Sequence, residues 1–199
     1  MHARLAAVLA CFALLAVAPS LGAKEGPRAV VIPGTGYRIA FDPGAKVTAP
    51  PADLLKAVAA WIVQRFGLPP AARLPAVQLT SSERITVLHH TAMASDDAED
   101  AARVPPGQRE VVAVYDPLTA TIHLPLHWTG KTPAELSMLV HEMVHHLQSS
   151  ARLRFECDAA REELAYTAQD EWLRLFGRDL ATDFDIDPFT LLVSVRCIY

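Results

Sequence analysis

The stretch that most constrains this chain is His141-Glu142-Met143-Val144-His145, two histidines four residues apart inside a segment, Thr132 to Gln148, that reads as helical throughout. Residues four apart share one face of a helix, so both imidazoles can reach a single metal ion. Glu142 sits about 100° round the helix from His141, where its carboxylate can touch a water at the metal without ligating the ion. Zinc suits such a site, because it takes imidazole nitrogens readily and tolerates an open position for water. The helix is supported independently of the motif. Thr132-Pro133-Ala134-Glu135 reads as a capping box with proline at the first helical position. Leu136, Leu139, Val140, Met143, Val144 and Leu147 recur at helical spacing, which predicts a buried stripe opposite His141 and His145.

The first 23 residues read as a secretory signal. Arg4 supplies a short basic start, Leu5 to Val17 an apolar run, and Ser20-Leu21-Gly22-Ala23 small residues for cleavage. That run is short for a membrane span, and no later segment approaches one. The mature chain is therefore expected to be exported, periplasmic or secreted, and to form one domain from Lys24 to Tyr199. Loss of Arg4 takes the formal charge from −4 to −5, a mildly acidic balance with no basic stripe for nucleic acid. Cys11 leaves with the signal. Cys157 and Cys197 remain, and two cysteines in an exported chain favour a disulfide, here between the start of one helix and the C-terminal tail.

Lys24 to Pro51 reads as an extended arm with short strands near Ala29–Ile32 and Tyr37–Phe41. Asp53 to Phe66 has an amphipathic helical pattern closed by Gly67. Val77–Leu79 and Ile85–Leu88 read as strands, which would point His89 and His90 to opposite sides. Thr91 to Arg109 reads as a solvated loop. Val111–Tyr115 and Thr121–Leu124 read as a hairpin. Helical spacing returns over Glu156 to Phe176, and Asp187-Pro188 opens a last helix through Val195. The pattern is α+β, with a small, mainly antiparallel sheet packed on the N-terminal helix and the motif helix, and further helices after them.

Two histidines need a third protein ligand, and a glutamate from the next helix, Glu162 or Glu163, is one standard solution. His141-Glu142-x-x-His145 followed by Glu162-x-x-Ala165-Tyr166 resembles the zincin metallopeptidases whose third ligand is a glutamate. The resemblance implies a zincin-like fold and favours Glu162, because Ala165-Tyr166 aligns with an alanine-acidic pair in those proteins. Their acidic residue hydrogen-bonds a ligating histidine; this chain carries Tyr166 there instead, which leaves that partner open. The string through His146, Leu147 and Gln148, with Cys157 and Gln169, also resembles a family of secreted bacterial domains without an assigned function. That likeness spans Val111 onward.

The resulting expectation is a zinc-dependent peptidase, with Glu142 taking the water's proton as general base. Charge developing on the substrate oxygen needs a further donor. His127, Tyr166 and His123 are candidates by residue type. By the zincin resemblance, Thr121–Leu124 would pair with an extended peptide or protein substrate by strand addition. His146 reads as a solvent-facing histidine or one behind the ligands, and Gln148 and Gln169 as surface glutamines or partners of the site. The competing reading is a non-catalytic binding module that keeps a zincin fold and its metal.

Overall fold

Stripes at helical spacing and short β-prone runs resolve into an α+β architecture in the computed structural model, which describes residues 29–40, 50–93 and 113–197. The expected signal and arm residues 1–28 and most of the expected loop, 94–109, lie outside those residues. In chain order the elements are β1 (Ala29–Val31), β2 (Arg38–Ala40), α1 (Ala52–Phe66), β3 (Ala76–Thr80), α2 (Ser82–Met93), β4 (Val114–Asp116) and β5 (Thr121–Pro125). Four helices follow: α3 (Pro133–Ser150), α4 (Asp158–Arg174), α5 (Leu180–Phe184) and α6 (Pro188–Ser194). No helix among the described residues is long and apolar enough to cross a membrane.

The motif helix forms as its cap predicts. The Glu135 backbone N–H donates to Thr132 Oγ1, the Glu135 carboxylate accepts from the Thr132 N–H, and Pro133 opens α3. Glu135 also accepts from Thr129, while its carbonyl takes the Trp128 indole N–H at 2.8 Å, so the approach to the helix is pinned as well. Gly130 turns at φ +65° so close to Trp128 that a Cβ there would lie 2.7 Å from the indole ring. Only glycine meets both demands. Leu136, Leu139, Val140, Met143, Val144 and Leu147 are all buried, each contributing about 1.5–3 kcal/mol relative to exposure.

That stripe packs into one core with Leu54, Val58, Trp61 and Ile62 of α1 and with Tyr115, Ile122 and Leu124 of the sheet. Ala165 and Ala168 bring α4 against α3 without bulk between them, and Trp172 meets Trp61 edge-on at 5.5 Å. Strands β1 and β2 form an antiparallel pair apart from the other sheet. The other sheet is ordered β3-β5-β4, with β4–β5 the expected antiparallel hairpin and β3–β5 parallel. Antiparallel pairing predominates among the described strands, yet the sheet beneath the motif helix is mixed.

The expected strand at Ile85–Leu88 is wrong: those residues belong to α2. Ser81 and Ser82 open the helix, with Ser81 Oγ accepting from the Arg84 N–H at 3.4 Å. Ile85 is then buried as the helix packs on β4 and β5, so tertiary burial overrides the β-propensity of Ile85-Thr86-Val87. The five-residue α5, with Asp179 as its N-cap, has no counterpart among the expected elements.

Cys157 and Cys197 form a disulfide that ties the start of α4 to the end of α6. A bridge across 40 residues is worth about 4 kcal/mol by the loop-entropy relation. Because no residue of α6 is buried, the Cys197→Ser chain is expected to lose nearer 2 kcal/mol of global stability. Urea denaturation of oxidised wild type beside the variant measures this; identical midpoints would show that the bridge constrains nothing.

Candidate metal centre

One helical turn of α3 puts the two motif histidines side by side, and α4 crosses them with Glu162. The donor atoms converge: His145 Nε2 lies 3.2 Å from His141 Nε2, and Glu162 Oε2 and Oε1 lie 3.1 Å and 3.3 Å from the two rings respectively. Donors about 2.0–2.1 Å from a tetrahedral ion are separated by about 3.3 Å, so these spacings fit the edges of such a site. His141, His145 and Glu162 form the group able to hold a metal among the described residues.

The partners behind the histidines favour that use. His141 Nδ1 lies 3.0 Å from Gln169 Oε1, and His145 Nδ1 lies 3.0 Å from Gln148 Oε1. Each amide is oriented by its own nitrogen: Gln169 donates to Ser137 Oγ, which itself donates to the Ala134 carbonyl, and Gln148 donates to the Arg161 carbonyl. The oxygens therefore face the imidazoles, place the Nδ1 protons, and leave both Nε2 atoms to ligate. Burial acts to raise the Glu162 carboxyl, but hydrogen bonds from His141 and His145 outweigh it and hold the group well below the usual carboxylate range.

Gln169, seven residues beyond Glu162, thus supports His141 where the zincin resemblance left the partner open. Tyr166 lies instead against the His141 ring, with centroids 4.7 Å apart and planes at 70°. Replacing Gln169 with Ala is expected to weaken metal binding by about 10–100-fold. A competitive zinc titration measures the change, and unchanged affinity would remove Gln169 from the site.

Glu142 does not join the triad. It is 5% exposed, and burial pushes its carboxyl up to about 7, with Glu162 adding to the rise and His141 and the Tyr115 backbone N–H opposing it. A carboxyl with this pKa can exchange a proton near neutrality. Glu163, the alternative third ligand, turns away to an exposed ion pair with Arg196 at 3.1 Å.

The remaining candidates separate. His127 is exposed beyond β5. His123 lies one residue from Ile122 and Leu124 on β5 and so faces the opposite side of the sheet; its charged neighbours are Asp116 and Arg84, not the triad. His146 is buried rather than solvent-facing: Nε2 donates to the Arg73 carbonyl at 2.9 Å and Nδ1 accepts from the Tyr115 hydroxyl at 3.2 Å. Strand addition along Thr121–Leu124 is not available, since β5 is central and both its edges are already paired. The edge nearest the site belongs to β4, whose Tyr115 N–H faces Glu142.

The fold and site define an α+β chain with a His-His-Glu centre and a buried carboxyl beside it. Residues 47–198 match the family described as Domain of unknown function (DUF6647), and the chain belongs to that family. No curated protein and no solved structure matches it.

Proposed function

We propose that this chain is an exported zinc-dependent hydrolase, a zincin-like metallopeptidase with Glu142 as its general base. The observation that carries this reading is a buried Glu142, held near neutral titration next to three converging donors but not among them. A purely structural site needs the donors and has no use for that carboxylate. Zinc, when bound, would lower the pKa of a water and polarise a substrate carbonyl. Positive charge at the triad favours ionised Glu142, which takes the water's proton and returns it to the leaving amine. Gln148 and Gln169 keep the two ligating rings in one orientation throughout. An extended peptide is best accommodated along the outer edge of β4, which pairs with no strand among the described residues, beside Tyr115 and Glu142. The disulfide is compatible with an oxidising, extracytoplasmic setting.

The depth of Glu142 and its link to the Tyr115 N–H favour a second reading, a binding module whose carboxyl only braces α3 against β4. The test is hydrolysis of a broad peptide mixture by the zinc-loaded chain, with Glu142→Gln as control. Cleavage by wild type alone supports the peptidase. Zinc binding without cleavage moves the weight to the module.

A further inference from the structure

Water attacking a peptide carbonyl builds negative charge on the carbonyl oxygen, and a preorganised donor there is worth about 10²–10³ in rate. Resting on the hydrolase reading above, we propose that His89 is the donor that holds this oxyanion, brought to the centre by α2 from outside the motif.

The placement follows from the helix that stands where a strand was expected. Ile85 is buried where α2 packs on β4 and β5, and His89 lies one turn further along the same face. Strand β4 also carries Tyr115, whose N–H faces Glu142. His89 is close enough to the triad for Glu162 and His145 both to act on it electrostatically, together with Arg161. None of the other candidate donors combines these features. His127 is exposed, the charged neighbours of His123 are Asp116 and Arg84 with none of the triad among them, and Tyr166 is laid against the His141 ring.

The imidazole itself is partly exposed, with His90 edge-on at 5.8 Å. Its Nδ1 is sealed from solvent and has no hydrogen-bond partner. A buried polar atom left unpaired costs about 1–3 kcal/mol, and such atoms in native structures call for an explanation. With no acceptor at Nδ1, the neutral ring does better to carry its proton on Nε2, which makes that nitrogen a standing donor. Burial pulls the ring below the usual histidine range and so favours this neutral form.

The test uses the full mature chain loaded with cobalt in place of zinc, with inorganic phosphate as a tetrahedral oxyanion probe read from the visible spectrum of the metal. His89→Ala is expected to weaken phosphate binding at least tenfold while cobalt and zinc affinities stay within about threefold of wild type. His89→Gln, which keeps a donor and much of the volume, should recover part of the loss. Peptide kcat/KM should fall about 10²–10³-fold in His89→Ala with little change in KM. Unchanged phosphate affinity in both variants would overturn the assignment. A loss of metal affinity beyond 100-fold would also overturn it, by making His89 a ligand. Wild type that binds metal but cleaves nothing would count against the peptidase reading alone, and the phosphate measurement would still decide the role of His89. Wild type that binds no metal would sink both.

Discussion

Replacing Glu142 with Gln is expected to lower kcat/KM for peptide hydrolysis on the order of 10³-fold while zinc remains bound at one ion per chain. The amide keeps the shape of the carboxylate and cannot accept the water's proton, and loss of a general base typically costs about 10²–10⁴-fold. Zinc should remain because Glu142 lies outside the His141, His145 and Glu162 group. The same variant has a signature in the metal-free chain that activity cannot mimic. Folding raises the Glu142 carboxyl from about 4.5 to about 7, so between those values the folded state holds a proton that the unfolded state releases. The contribution of this group to stability is therefore unpenalised below about pH 4.5 and falls as pH rises, levelling above 7. At pH 8 metal-free Glu142→Gln should be more stable than wild type, by an upper bound on the order of 3 kcal/mol, and near pH 4 the two should match. Urea titrations at the two pH values read this directly. Equal stabilities at pH 8 would mean that the carboxylate is not desolvated as its surroundings imply.

The site was legible where its geometry is local. A capping box, a six-residue apolar stripe and two histidines four apart all act within one helix, so α3 could be placed without knowing what packs on it. The outer partners were harder. Gln148 and Gln169 sit three residues past His145 and seven past Glu162, spacings that put each on its ligand's face of the helix. Nothing in an isolated glutamine shows that a neighbouring helix will bury it. His89 was hidden by a different cause. Ile85-Thr86-Val87-Leu88 has strand composition, and only the sheet beneath it decides for helix. The central position of β5 depends on parallel pairing with β3 from more than 40 residues upstream, which no local pattern encodes. The strand-addition expectation failed for that reason: the segment was identified correctly as a strand, and its edges were already occupied.

Glu162 and Glu163 provide the sharpest contrast, because neighbouring residues of identical chemistry are expected to differ by orders of magnitude. A step of one residue rotates a helical side chain by about 100°. The close contact of Ala165 and Ala168 with α3 fixes which rotation faces the histidines. Glu162 takes it, with oxygens 3.1 Å and 3.3 Å from the two Nε2 atoms, whereas Glu163 meets Arg196 at the surface. Removing an outer partner of a ligand costs about 10–100-fold in metal affinity, so Glu162→Ala, which removes one of the three converging donors, should cost more than 100-fold. Glu163→Ala breaks only an exposed ion pair worth about 0.2–1 kcal/mol and should leave zinc affinity within about threefold. Competitive zinc titration of both variants beside wild type measures the difference. If Glu163→Ala were the damaging change, α4 would have to be rotated by a residue in the loaded protein, and the contacts of Gln169 and Tyr166 with His141 would be lost with it. Comparable losses in both variants would instead mean that the two carboxylates act on the ion together, a geometry the exposed Arg196 pair argues against.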